Sequence, residues 1–370
     1  MSAVTNSSSH GTQLSSLSPY FDITRPLVLV VDAGGTKCTA AIATTAEGVI
    51  ARGEAGPCNF STIGLQSTVE TIKAAVHDAL ATLKMTEPRF TAAWAGIAGV
   101  DATRPHDIAR VRLHLAGVLG FEEDSEALVV SSDAELLSSV LLSVPTEKSA
   151  VVLVAGTGSI AYLYTAANSP GGENEKPGFR VPRRVARCGG WGHLLGDEGS
   201  GYDAGRRAIR AMLSACDNDR PPTQLHKKLM TVLGCDDVAA VITKVYSDPS
   251  GAKTRIGSLS NVVMEMAFEE KDAEALAIVS EMVLSLVECV LPLTIAAQRG
   301  MWIEDGIALV LSGSLLVQVP QFREAVVREL RTRVSGVKFG TVYVVGNAAE
   351  YVASVLCKEP PAQGKVADLA

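Results

Sequence analysis

The sequence predicts an α/β protein made of two halves of like topology, and three observations carry that prediction. An apolar run, a glycine-rich turn and a second apolar run occupy 27–44; the same scheme returns at 149–165; segments of helical periodicity follow both. With 370 residues, 47% of them hydrophobic, the chain has material for two domains of roughly 150 residues each.

LVLVVDAGGTKCTAAIAT (27–44) reads as a buried strand, a Gly-rich turn and a second strand, and VIARGEAG (49–56) continues as a third. Between Gly64 and Met85 the residues Val69, Ile72, Val76, Leu80 and Leu83 recur at steps of three and four, which gives a helix one apolar face. FTAAWAGIAGV (90–100) is a strand of small residues ending in glycines, Asp107 to Leu119 has helical spacing, and 126–137 is a short strand running into a helix. After 149–165 the chain predicts helices around Ala204 to Ser214 and from Asp272 to Arg299, where Pro292 bends or splits the second. Apolar strands in 307–316 and 341–351 end in small-residue turns. The segments 167–184 and 217–224, rich in Pro, Gly, Asn and Asp, predict surface loops. The expected division is a tail at 1–26, a first domain at 27–140, a second at 141–356 and a tail at 357–370.

Composition narrows the function classes. The 40 acidic residues outnumber 33 Lys and Arg, a formal net charge of -7, so no basic surplus is available for a nucleic-acid backbone. Only 5% of residues are aromatic, which argues against base-stacking platforms and aromatic-girdled barrels. The seven cysteines are odd in number, scattered and never in a Cys-x-x-Cys pair, poor material for a disulfide framework or zinc ribbon. A reducing compartment follows. No apolar run reaches the roughly 18 residues of a membrane span, and 1–26 lack the basic start and apolar block of a secretory signal. The expectation is a cytoplasmic protein without a membrane partner.

Two glycine turns carry the chemistry. Neither a P-loop string nor a dinucleotide fingerprint placed after a strand occurs. What remains is Asp32-Ala33-Gly34-Gly35-Thr36-Lys37 in one hairpin and Gly156-Thr157-Gly158-Ser159 in another. A backbone without Cβ atoms approaches a phosphate closely and presents several N–H donors at once. Each turn alone has an ordinary structural reading, because the hairpin itself demands glycine. As a pair across a cleft, they could grip the two ends of a triphosphate.

Further along, Cys188 to Tyr202 (CGGWGHLLGDEGSGY) is a glycine-dense loop running into a helix. Its glycines read either as turn formers, with Asp197 and Glu198 as helix-end acids, or as a sugar site with Trp191 as a flat wall and Asp197 accepting from two hydroxyls. His193 has no second ligand at metal spacing and reads as satisfied by loop backbone. Ser132-Asp133-Ala134-Glu135 is a capping-box string, in which Asp133 needs no catalytic reason. Asn59 follows Pro57 and reads equally as a turn residue or as a donor and acceptor for vicinal hydroxyls.

The two hairpins, with 307–316 as a third nucleotide-side turn, resemble the sugar kinase, actin and hexokinase superfamily of ATPases, and 188–202 is similar to the N-acetylglucosamine kinases. The resemblance spans 27–355 and implies two ribonuclease H-like (actin/hexokinase-type) domains around an interdomain cleft. It implies ATP, with Gly34, Gly35, Thr36, Lys37, Gly156, Thr157, Gly158, Gly313 and Ser314 around the nucleotide, and Asp32 positioning Mg²⁺ through water. It places a catalytic aspartate at Asp133, and a sugar held by Asn59, Phe60, Asp133, Ser159, Ile160, Gly190, Trp191, Gly192 and Asp197. Phe60 and Ile160 depart from the histidine and asparagine of the animal enzymes; plant relatives also carry isoleucine after their Gly-Thr-Gly turn. The activity implied is phosphorylation of N-acetyl-D-glucosamine at its 6-hydroxyl, giving the 6-phosphate and ADP. The alternatives are a kinase of glucosamine or another amino sugar, a sugar sensor without turnover, and an ATPase switch resembling the activators of 2-hydroxyacyl-CoA dehydratases. The implied partners are an amino sugar and ATP, with a second copy of the chain left open.

Overall fold

A computed structural model describes residues 26–86, 89–144, 146–166, 181–248, 251–300, 306–334 and 336–357. Apart from Pro26 and Cys357, the expected tails lie outside the described residues, as does 167–180 of the expected loop.

The first half runs β1 (Leu27–Ala33), β2 (Cys38–Thr44), β3 (Gly48–Ala55), α1 (Phe60–Thr82), β4 (Phe90–Ile97), α2 (Pro105–Leu119) and β5 (Leu128–Ser131). Its sheet has the order β3-β2-β1-β4-β5, with β2 and β3 antiparallel and β4 and β5 parallel to β1. A 3₁₀ helix at Asp133–Ser139 and the short α3 (Val140–Ser143) lead to the second half. There β6 (Ser149–Ala155), β7 (Ser159–Thr165), β8 (Arg183–Gly189), β9 (Ile307–Ser312) and β10 (Phe339–Val345) take the order β10-β9-β6-β7-β8. Read from the antiparallel edge, both sheets have one topology, so the repeat in the sequence is a repeat of structure.

Helices α4 (Gly201–Asp217), α5 (Gln224–Leu233), α6 (Ala240–Tyr246), α7 (Ala252–Ser258), α8 (Ser260–Phe268) and α9 (Ala273–Arg299) come between β8 and β9; α10 (Ser314–Gln318) and α11 (Pro320–Arg333) come between β9 and β10, and α12 (Ala348–Leu356) ends the described fold. Ile72, Val76 and Leu80 of α1 bury against β1–β4 in one core, while Leu229, Val263, Met282, Leu286 and Phe322 build another behind the second sheet. A third core lies between the sheets, where Val28, Val30 and Trp94 meet Val152, Tyr162, Tyr164 and Val310. Helix α12 joins it through Ala349, Val352 and Val355, so the last described helix packs on the first sheet, against β1 and β2. Burying the apolar surface of both sheets in one shared layer couples the halves.

Four expectations need correction. Residues 183–184 belong to β8 rather than to a surface loop, because β7 offers an antiparallel edge for them to pair with. Residues 133–139 form a 3₁₀ helix without a capping box, since Ser132 makes no side-chain cap and its hydroxyl donates to Asp133 Oδ1 at 3.3 Å. Pro292 neither ends nor divides α9, whose neighbours Val290 and Leu293 stay buried on either side of it. That helix is also long and apolar enough to cross a membrane, which counting unbroken apolar runs missed; here its apolar positions from Ala275 to Ala297 line the second core.

Candidate active site

The β1–β2 and β6–β7 turns occupy equivalent places in the two halves, at the carboxyl end of the central strand. Ligands of open α/β sheets bind at that end. Gly34 N–H donates to Lys37 O at 2.9 Å, closing the first turn, and Gly34 O accepts from Cys58 N–H, which ties it to the segment holding Asn59. Gly35 and Thr36 are exposed, free of the sheet ladder. Lys37 is turned to Glu54, Nζ to Oε1 at 2.6 Å on the surface.

The second turn is braced on three sides. Gly156 N–H bonds Gly158 O at 2.9 Å, and Gly156 O and Thr157 O accept from Gly201 and Tyr202 at the start of α4. Gly313 lies so close that a Cβ on it would sit 2.5 Å from Ala155 O, so Gly156, Gly313 and Ser314 form one small-residue surface. Asp197 closes the third side: a Cβ on Gly158 would meet its Oδ2 at 2.7 Å. The side chain of Asp197 is buried, its backbone sits at φ +61°, and Lys253 Nζ stands 3.8 Å from Oδ2. The acid of the sugar loop is therefore in contact with the phosphate-side turn as well. Lys253 was absent from the sequence reading, as was Gly257, which abuts Thr157.

Asp133 lies directly after β5, and its Cα packs against Gly96 of β4. Oδ1 accepts from Ala134 N–H at 2.9 Å. Burial raises its carboxyl above the ordinary aspartate range against those hydrogen bonds. Asp32 is raised further, to about 7, first by burial and then by the Asp133 charge, with Lys37 pulling the other way. Two desolvated acids, one of them raised further by the charge of the other, are chemically suited to share a cation, and one acid of such a pair is suited to accept a proton.

The sugar-side residues meet here in part. Asn59 caps α1, its Oδ1 accepting from Ser61 N–H at 3.1 Å, so the turn reading is realised and the amide nitrogen remains to donate. Phe60 packs against the first core and donates its N–H to Ala98 O. Ser159 spends its hydroxyl on Glu198 O at 2.7 Å, which anchors the 188–202 loop. Ile160 is covered by Gly190, where a Cβ would fall 2.1 Å from Ile160 Cδ1; only glycine also suits its φ of +71°. Trp191, beside Gly192, is 67% exposed, and one face of its indole carries the Arg187 guanidinium at 4.6 Å. His193 is held edge-on by the Tyr202 ring rather than by backbone, at 4.8 Å between centroids.

Two elements that the sequence reading passed over complete the site. Asp101, just beyond β4, receives Arg184 Nη2 at 3.1 Å and Arg187 Nη1 at 3.7 Å across the cleft. Burial works to raise the Asp101 carboxyl, but hydrogen bonds from Thr103 and Arg184 outweigh it and hold the group at about 2.

Twin halves of this topology, with paired glycine turns and two desolvated acids at the first of them, define an ATPase of the actin and hexokinase type. Comparison of sequences makes the class specific: residues 29–344 match the BadF/BadG/BcrA/BcrD ATPase family, and the chain belongs to it. The chain is 30% identical over 237 residues to an N-acetylmuramic acid/N-acetylglucosamine kinase of Clostridium acetobutylicum, covering 64% of this chain and 69% of that one. It is 25% identical over 253 residues to an N-acetyl-D-glucosamine kinase of Dictyostelium discoideum, covering 66% and 72%. The fold is shared with a candidate N-acetylglucosamine kinase of Porphyromonas gingivalis, at a TM-score of 0.63, 17% identity and coverage of 90% and 98%.

Proposed function

We propose that the protein is a cytoplasmic ATP-dependent kinase of N-acetyl-D-glucosamine, transferring the γ-phosphoryl group to the 6-hydroxyl and releasing the 6-phosphate and ADP. The observation that carries the reading is Asp133: a desolvated carboxylate with a raised proton affinity, directly after β5 and near enough to Asp32 at the first glycine turn to raise that acid too. Both curated relatives bear N-acetylglucosamine in their names, which supports the amino-sugar class.

Phosphoryl transfer asks a protein mainly for position and charge stabilisation. Asp133 takes the proton of the attacking hydroxyl, held in place by the Ala134 N–H. Backbone donors at Gly34, Gly35, Thr36, Gly156, Thr157 and Gly158 hold phosphate oxygens, Lys37 and Lys253 add positive charge, and Gly313 and Ser314 border the nucleoside. Asp32 suits Mg²⁺ because it is desolvated beside a second acid, whose charge raises it more than Lys37 lowers it. Bound there with ATP, the ion would supply charge neutralisation on the phosphates. Asn59, Trp191 and Asp197 hold the sugar, with Phe60, Ser159, Ile160, Gly190 and Gly192 shaping its walls. Closure of the halves excludes water, which would otherwise compete as acceptor.

The test is ADP release with N-acetylglucosamine, glucosamine and glucose in parallel, with the product mapped by NMR. The highest kcat/KM on N-acetylglucosamine, with phosphate on O6, is expected. A higher value on either of the other sugars overturns the reading.

A further inference from the structure

The two segments assigned to the sugar, one in each half, are tied together through a single acid. In the first half, the chain leaving β4 runs beside Asn59. Ala98 pairs with Asn59 in an isolated bridge, and its carbonyl accepts from Phe60 N–H at 2.8 Å. Ser61 Oγ donates to Gly99 O at 2.9 Å, and a Cβ on Gly99 would meet Asn59 Oδ1 at 2.4 Å, so residues 98–99 and the Asn59 turn pack as one piece. Asp101 follows directly. Its Oδ1 accepts from Thr103 N–H at 2.8 Å, an Asx turn in which its own loop orients the carboxylate.

The partners come from the second half. Arg184 and Arg187 are three residues apart, a spacing that puts side chains of a regular strand on opposite faces. A bulge in β8 overcomes this: Arg187 pairs with Tyr162 and Arg184 with Tyr164, with Val185 as the extra residue. Both tyrosines lie in the core between the sheets, so both arginines face the first half. Asp101 divides its oxygens, Oδ1 to Arg184 Nη2 at 3.1 Å and Oδ2 to Arg187 Nη1 at 3.7 Å. Arg187 is then committed on every side. Nε donates to Gly189 O at 3.1 Å, Nη2 to Gly190 O at 2.7 Å, and the guanidinium stacks over Trp191 at 4.6 Å. A planar fork can serve two carbonyls, a carboxylate and an indole face at once, which a point charge cannot. The glycine turn at 156–158, by contrast, is braced by Gly201 and Tyr202 without Arg187.

We propose that Asp101 is a positioning residue for the sugar pocket, acting through Arg187 to fix the Gly189 to Trp191 wall of one half against the Asn59 wall of the other. This rests on the sugar-kinase reading above and adds to that site a residue that does not itself touch the sugar. A wall set before the sugar arrives has less freedom to lose on binding, so the effect falls on the sugar KM, with kcat and the KM for ATP unmoved.

The experiment measures ADP release while N-acetylglucosamine and ATP are varied separately. Asp101→Asn should raise the sugar KM about fivefold, the scale of one partly solvated ion pair, and leave the KM for ATP within twofold. Arg187→Lys, which keeps the charge and loses the fork, should raise the sugar KM at least as much. Because Asp101 acts through Arg187, Asp101→Asn added to Arg187→Gln should change the sugar KM by less than twofold beyond Arg187→Gln alone. Arg52→Gln removes the ion pair of Arg52 Nε with Glu350 Oε1 at 2.7 Å, which involves no sugar residue, and should leave the sugar KM unchanged. An unchanged sugar KM in Asp101→Asn or in Arg187→Lys, a full fivefold loss added in the double variant, or an equal rise in Arg52→Gln overturns the positioning role and leaves the kinase reading standing. Turnover of no sugar by the wild type overturns both.

Discussion

Replacing Asp133 by Asn tests the site at its centre. The asparagine has the same shape, and its Oδ1 can keep the 2.9 Å bond from Ala134 N–H, so the 3₁₀ turn should survive. What is lost is the basic oxygen. A positioned general base contributes about 100- to 10,000-fold, or about 3–5 kcal/mol of barrier, and kcat should fall by that much. Sugar affinity measured by calorimetry should change little, because the hydroxyl keeps a polar partner. The charge change has a second consequence. Asp32 stands at about 7, well above the ordinary 3.8, with Asp133 the second cause after burial. Removing that charge should lower the Asp32 proton affinity, so Mg²⁺-dependent nucleotide binding should persist to lower pH in the variant. In the wild type the active form has Asp133 deprotonated, and since its folded-state value is raised, kcat/KM should fall on the acid side at a pH above 3.8. A coupled ADP assay across pH reads all three effects. A kcat within tenfold of wild type refutes the assigned role.

Asp101 and Trp191 give two further tests. Asp101 sits at about 2 when folded against an ordinary 3.8, so its contribution is fully present above 3.8 and is lost as pH falls toward 2. Because the group is partly solvated, Asp101→Asn should cost only about 1 kcal/mol at neutral pH, a fall of about 2 °C in Tm, and the gap should narrow at pH 3; a constant gap counts against the ion pair. Trp94 is fully buried while Trp191 is open, so added sugar should shift the fluorescence of Trp191 to the blue, and Trp191→Phe should abolish that shift. Trp191→Ala should raise the sugar KM about tenfold, given the area an aromatic wall covers, and an unchanged KM removes Trp191 from the site.

Much of the architecture was readable because it is locally encoded. The runs at 27–44 and 149–165 join continuous apolar residues to glycine turns, and both became the hairpins expected. Strand β8 was hidden: Arg183, Arg184 and Arg187 interrupt its apolar pattern, it lies at a sheet edge, and its bulge breaks the period of two. The 3₁₀ helix at 133–139 escaped for a different reason, since the Asp133 hydrogen bonds favour a tight turn that a capping pattern does not distinguish from an α-helical start. Of the site, the glycine turns announced themselves by residue type, whereas Asp133 read as a helix-start acid and was singled out only by the family resemblance. Asp101, Arg184, Arg187 and Lys253 were marked by neither, because their meaning lies in pairings such as Arg184 with Asp101, 83 residues apart.

The return of α12 to the first sheet bears on how the chain is made. Residues 348–356 leave the ribosome roughly 300 residues after β1 and β2, the strands they cover. At about 5–20 residues per second, the interval is roughly 15–60 s, during which Val28, Val30 and Ala41 have no lasting cover on that side. The first half can therefore gather its own helices early but cannot mature until translation has passed α12. A nascent chain stalled before residue 348 presents an apolar sheet face suited to chaperone capture or self-association.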